Sequence, residues 1–275
     1  MKIAFKIEPS TDKNVALHLI TEVGDTDISF LIFSKTPFKI EGFFSMNFEK
    51  NTLPDNYVDE VKKYIHETAC LQDINLTSSK IFYNFLNSTL IPEQYFIEDE
   101  KEQILDQLFG QDKTRIYFQE SCQQQAVKNI YSVPSVIHNS FLALYPSGEF
   151  THSTSYQINN NKDSVLHCII YNSSIKIIFF KEGQLQIVQY FNYTLPADVC
   201  YHILNVAERF ETPASLLTLS LSGMVDIDST LYQDLYKYFL HIKFAETTVV
   251  VFSESFEELP VHFYQHLTAL AHAHN

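Results

Sequence analysis

The feature that most constrains this chain is that it reads twice. Residues 15–66 run "VALHLITEVGDTDISFLIFSKTPFKIEGFFSMNFEKNTLPDNYVDEVKKYIH", and residues 165–207 run "VLHCIIYNSSIKIIFFKEGQLQIVQYFNYTLPADVCYHILNVA". Each opens with an apolar strand, a short polar turn and a second strand, "ISFLIF" in one and "IKIIFF" in the other. Each passes through another turn to a third strand, "FKIEGFFSMNF" or "QLQIVQYFNY", and then reaches Thr-Leu-Pro, at 52–54 and at 194–196. A proline has no N–H to lose and a φ already set for a helix, so both triplets predict a helix start. Val58, Val61 and Ile65 then fall at i, i+3, i+7, and Val199, Ile203, Val206 and Phe210 at i, i+4, i+7, i+11. Either spacing makes one apolar stripe that can pack on a sheet. Four elements in one order, closed by the same triplet, point to an internal duplication.

The remainder extends each copy. After the second comes "ASLLTLSLSGMV" (214–225), a strand running into a glycine turn, and a helix in "DSTLYQDLYKYFL" with Asp228 or Ser229 as its cap. After the first come a strand in "KIFYNFL" (80–86), an acidic helix in "EDEKEQILDQLFG" (98–110) and a strand around "RIYFQE". The polar stretch "INNNKDS" (158–164) is the clear linker. The expected fold is α/β, two lobes of βββαβα type, with the first lobe in residues 1–157 and the second in 158–275.

Composition narrows the function classes. The net charge of −14, with no cluster of Lys and Arg, disfavours nucleic acid and anionic membrane surfaces. Cys70, Cys122, Cys168 and Cys200 lie far apart, without zinc-ligand spacing. The opening "MKIAFKIEPSTDK" has no apolar core of a secretory signal, and the longest uncharged stretch, Asn129 to Gly148, holds two prolines. A reduced, cytoplasmic protein with no membrane span is expected.

The lobe plan resembles that of the actin-like ATPases: sugar kinases, heat-shock chaperones, actin and the related pilus-assembly proteins, all with a duplicated ribonuclease-H-like fold. More narrowly, "TLIPEQYF" (89–96), "NIYSVP" (129–134), "LALYPSGEFTHS" (142–153), "LSGMVDIDSTLYQDLYKYF" (221–239) and "ELPVHFYQHL" (258–267) resemble a family of uncharacterised bacterial proteins. That family is a domain of unknown function with an actin-like ATPase fold. The resemblance spans roughly residues 15–270 and implies a fold without an activity.

It also supplies a test. Active members of the fold carry Asp-x-Gly and small hydroxyl residues in the first hairpin of each lobe, for Mg²⁺ and for the close approach of phosphates. Aligned on Ser173-Ser174, the second lobe has Ile169 at the Asp position and Tyr171 at the Gly position, and no carboxylate between Ser164 and Lys181. The first lobe keeps Glu22-Val23-Gly24, followed by Asp25-Thr26-Asp27, which reads as a solvated acidic turn. Like charges about 4 Å apart near a surface repel by roughly 4 kcal/mol, so such a turn is hostile to a triphosphate. The glycine pair that holds adenosine in the fold is matched only by Ser222-Gly223-Met224. The chain has six glycines, where average usage would give about 19.

Other chemistry finds little footing. His262 and His266 stand at i, i+4, but a third zinc ligand would have to come from His272 or His274. A docking helix with the stripe Phe263, Leu267 and Leu270, and His262 as a buried hydrogen-bonding residue, fits better. No nucleophile elbow is present. The expectation is a pseudo-ATPase, not an enzyme, with no catalytic residues, metal or cofactor, whose cleft positions Glu22, Gly24, Ile169, Tyr171, Ser173, Ser222 and Gly223 are vestigial. It would act as an interaction or scaffold module for a protein partner. The alternatives are a divergent nucleotide-binding protein using Asn172, Ser173 and Ser222, or an enzyme using the interlobe cleft.

Overall fold

The structure is a computed structural model that describes residues 1–9, 15–68, 71, 76–158, 163–246, 251–252, 256 and 259–273. Cys70, His274 and most of the 158–164 linker lie outside the described residues. Two compact units are present, Met1–Tyr156 with Val249–Glu258 and Leu270–Asn275, and Gln157–Thr248 with Leu259–Ala269.

In the first unit, β1 (Lys2–Ile7), β2 (Leu17–Gly24), β3 (Asp27–Lys35) and β4 (Phe38–Asn47) lead to α1 (Pro54–Glu67) and β5 (Leu76–Asn84). The chain then leaves the sheet through β6 (Ser88–Pro92), α2 (Lys101–Phe109), β7 (Arg115–Cys122) and β8 (Val127–Pro134). It returns by α3 (Ser135–Leu144), β9 (Glu149–His152) and α4 (Ser153–Gln157). The main sheet runs β1-β4-β3-β2-β5-β9, with the short β15 (Val251–Phe252) also on β4. The trio β2, β3 and β4 is antiparallel, while β5 joins β2 and β9 joins β5 in parallel. As the stripe predicts, α1 starts at Pro54 and buries Val58 and Val61, with Tyr57 and Tyr64 beside them.

The second unit repeats that order. Here β10 (Val165–Ile170), β11 (Ser174–Lys181) and β12 (Gln184–Asn192) precede α5 (Pro196–Arg209), β13 (Thr218–Gly223), α6 (Thr230–Tyr236) and β14 (His241–Phe244). The sheet is β12-β11-β10-β13-β14, which matches β4-β3-β2-β5-β9 strand for strand and direction for direction. From α5, Val199, Cys200, Ile203 and Val206 are buried against Leu166, Cys168, Ile177 and Leu219 of the sheet. Ser229 caps α6, its side chain accepting the Tyr232 N–H at 3.2 Å. The last helix, α7 (Gln265–Ala273), buries Leu267 in this unit.

The sequence reading needs three corrections. Each unit is βββαβαβ, because β9 and β14 each add a parallel strand after the second helix. The second helix of the first unit is α3, whereas the acidic helix α2 belongs with a separate three-stranded antiparallel sheet, β6-β8-β7. The strand β1 was not expected and pairs antiparallel with β4. Among the described residues no helix is long and apolar enough to cross a membrane. Cys122, Cys168 and Cys200 are buried free thiols.

Candidate functional site

In the second unit, residues 171–173 close the β10–β11 hairpin on itself. The Tyr171 N–H donates to Ser174 O at 2.9 Å, the Tyr193 N–H donates to Ser173 O at 3.0 Å, and the Tyr193 hydroxyl donates to Tyr171 O at 2.7 Å. The Tyr171 side chain is buried at 5 % exposure, with the His266 ring edge-on at 5.5 Å. A buried aromatic ring thus stands at the position that the resemblance aligns with a glycine. Ile169, also buried, sits opposite Lys176 on β11 and beside Ser222 on β13. Lys176 is fully buried, donates to Gln157 Oε1 and holds its ammonium 5.0 Å from the Tyr190 ring. Directly paired strand residues bring their Cβ atoms within about 5 Å. The residue directly opposite Ile169 is thus a buried lysine.

Gly223 has a structural reason to be glycine. It takes φ +84°, and a Cβ there would lie 2.2 Å from Ile170 O, so β13 passes too close to β10 for any side chain. The following N–H, of Met224, donates to that same Ile170 oxygen at 2.7 Å.

The first unit fills its turn with acid. At the tip of the β2–β3 hairpin, Phe48 N–H donates to Thr26 O at 2.8 Å and the Tyr57 hydroxyl donates to Asp27 O at 3.1 Å. Asp25 is exposed and its carboxylate accepts the Leu86 N–H at 3.0 Å. The expected solvated turn is otherwise wrong: Glu22 is 2 % exposed and Asp27 9 %. Burial pushes the Asp27 carboxyl up to about 8, helped by the charges of Glu22 and Asp25. A Cβ on Gly24 would lie 2.8 Å from Asp27 Oδ1, so the Asp27 carboxylate folds over the glycine and takes the approach the glycine leaves open.

The C-terminal histidines go to different neighbours. His262 donates through Nε2 to Val225 O at 2.7 Å and stacks on Phe244 at 3.9 Å, and burial lowers its pKa. His266 meets Tyr171, and His272 lies edge-on to Phe38 at 5.2 Å. Among the described residues no three metal-binding side chains come together.

Sequence reasoning missed two buried cations, Lys176 and Lys80. Lys80 on β5 bonds Glu149 at 3.0 Å and the Tyr156 hydroxyl at 2.8 Å, beside a shallow polar cavity of about 390 Å³ also lined by Glu120 and Ser155. Glu120 accepts from the Tyr131 hydroxyl at 2.5 Å, Thr151 Oγ1 at 2.7 Å and the His152 N–H at 3.0 Å. The signal was present in both cases: a lone lysine within or heading an apolar strand, "IKIIFF" and "KIFYNFL".

Comparison with known proteins follows the fold. A Bacteroides thetaiotaomicron protein with an actin-like ATPase fold and unknown function superposes with a TM-score of 0.74 at 17 % identity, covering 94 % of this chain and 96 % of that one. The PilM–PilN type IV pilus biogenesis complex matches with a TM-score of 0.61 at 11 % identity, covering 95 % of this chain and 98 % of that one. No curated protein sequence matches. The model of the protein family of unknown function DUF3822 matches residues 7–242, and the chain, with its actin-like ATPase fold, belongs to that family.

Proposed function

We propose that this protein is a pseudo-ATPase, an actin-like body that works through protein contacts in the cytoplasm and not through nucleotide chemistry. One observation carries the reading: at the hairpin positions where the resemblance implies phosphate contacts, the Tyr171 ring is buried in one unit and the Asp27 carboxyl lies against Gly24 in the other. The buried ammonium of Lys176 opposite Ile169 supports it, because the isoleucine offers Mg²⁺ no ligand and the ammonium would repel the ion. A net charge of −14 favours a protein partner over nucleic acid or a membrane. PilM, similar in fold, has been solved in a complex with PilN, which is in keeping with a partner-binding use of such a body.

The test is thermal unfolding and titration calorimetry with ATP, ADP and Mg²⁺. No change in Tm and no saturable heat is expected. A ligand present at 100 times its Kd would stabilise by about 2.7 kcal/mol, which is a shift of a few degrees. Such a shift with ATP·Mg²⁺ would replace this reading by that of a divergent nucleotide-binding protein.

A further inference from the structure

The polar cavity of about 390 Å³ beside Lys80 is lined from both sheets of the first unit, and all its lining residues belong to that unit. Lys80 of β5 pairs in parallel with Glu149 of β9, and Phe82 with Thr151, so Lys80, Glu149 and Thr151 share one face of the main sheet. Glu120 reaches the cavity from β7 of the inserted sheet, and Ser155 and Tyr156 reach it from α4. The wall is held from behind. Fully buried Asn129 donates through Nδ2 to Ser155 Oγ at 3.1 Å, and the Phe82 ring meets the Tyr156 ring edge-on at 5.3 Å. The volume lies at the small end for ligand sites, which run from about 300 to 1,000 Å³.

The hydrogen-bonding capacity of these groups is only partly used. An ammonium has three protons, and Lys80 gives one to the Tyr156 hydroxyl at 2.8 Å and one to Glu149 at 3.0 Å. The third remains. The Tyr156 hydroxyl accepts from Lys80, and among the described residues its own proton meets no acceptor. A carboxylate offers about four acceptor sites, and Glu120 fills three of them, with the Tyr131 hydroxyl, the Thr151 hydroxyl and the His152 N–H. Two donors on bonded neighbours are therefore left on one side, and one anionic acceptor on the inserted sheet. Charge narrows the choice further. The lining carries one cation, Lys80, and two carboxylates, Glu120 and Glu149. A simple anion would be repelled, and a simple amine would leave both donors unmet. A ligand with a carboxylate and an ammonium adds no net charge and satisfies both sides.

We infer that this cavity binds a free amino acid, its carboxylate on Lys80 and the Tyr156 hydroxyl and its ammonium on Glu120. The lining is polar apart from Phe150 and the Tyr156 ring, which suits a small or polar side chain. No lining residue belongs to the β2–β3 or β10–β11 hairpin, so the inference stands whether or not a nucleotide binds there. Titration calorimetry and thermal unfolding of the full chain with the protein amino acids, one at a time, test it. At least one should give saturable heat and a raised Tm. The N-acetyl derivative of that amino acid lacks the ammonium and its methyl ester lacks the carboxylate, and each should bind about tenfold more weakly or worse. Tyr156→Phe keeps the ring and removes the proton, and should weaken binding about tenfold with an unchanged circular dichroism spectrum. Glu120→Gln should weaken it too, and Tyr156→Phe decides alone if the loss of Glu120 loosens the inserted sheet. Silence across the whole panel at millimolar concentration overturns the inference. So does a ligand that binds equally well after N-acetylation or esterification, or one whose affinity survives Tyr156→Phe.

Discussion

The β2–β3 hairpin of the first unit and the β10–β11 hairpin of the second occupy the same place in the same strand order, yet share almost no chemistry. The first holds buried carboxyls, Glu22 and Asp27, under an exposed Asp25. The second holds Ile169, Tyr171 and a buried ammonium, Lys176. Both build the turn from backbone hydrogen bonds of ordinary length. The difference teaches that this topology is carried by apolar alternation and turn geometry, and that the charged groups at the hairpin can differ in sign without disturbing it. The two glycines differ in the same way. Gly223 faces backbone, while Gly24 faces the far end of a side chain.

That contrast predicts the largest effect. Gly223→Ala puts a Cβ 2.2 Å from a carbonyl oxygen at φ +84°, and should destabilise the second unit by about 3 kcal/mol or more. Gly24→Ala meets only the Asp27 carboxylate, which can rotate, and should cost nearer 1 kcal/mol. Denaturant melts of both variants check this, and equal losses would break the comparison.

Next comes pH, where the units should respond in opposite directions. Asp27 has a folded pKa raised to about 8 from an ordinary 3.8, so the folded state holds the proton that the unfolded state releases. Its contribution is full below 3.8 and declines as pH rises toward about 8, by at most about 1.4 kcal/mol per pH unit. Asp27→Asn should flatten that decline. His167 of the second unit is depressed to about 4 by burial, with Lys243 adding to it, so its contribution is present above 6.5 and lost as pH falls toward about 4. His167→Phe should flatten the acid limb. Hydrogen exchange resolved by unit, measured from acid to mild base, separates the two slopes, and a shared slope would contradict the assignment.

The smallest effect compares the two Pro-initiated helices. The Asp198 carboxylate accepts the N–H groups of Thr194 and Leu195, each at 2.9 Å, and these bonds hold its pKa below the usual range. No side chain caps the start of α1 at Leu53. Asp198→Ala should lower Tm slightly, while Asn56→Ala, at the same helical position in α1, should leave it unchanged.

The three-strand opening of each unit, both helix starts and a cap at Asp228 or Ser229, which proves to be Ser229, are legible because each rests on local rules: period-two alternation, a proline that presets φ, a hydroxyl that caps an N–H. The inserted sheet is not, since the amphipathic pattern of α2 fixes a buried face but says nothing about which sheet it lies on. The helix α3 lies in "SVIHNSFLAL", an uncharged run between Pro134 and Pro146 with no charged face to mark it as amphipathic. The burial of Glu22 and Asp27 is hidden for a related reason. Gly-Asp-Thr-Asp is good turn chemistry in water, but residues from elsewhere in the chain close over it: Tyr57 bonds Asp27 O, Phe48 bonds Thr26 O and Leu86 bonds the Asp25 carboxylate. Burial of a lysine such as Lys176 is likewise a tertiary event.

Glu120 ties the inserted sheet to the main one. It stands on β7 in the inserted sheet and reaches across to Thr151 and the His152 amide of β9, the last strand of the main sheet. An insertion merely tolerated would hang from its two chain ends. This one occupies a backbone donor that a terminal strand otherwise leaves to water or to another chain. Deleting it would therefore shorten the protein and at once open a new site for unwanted pairing.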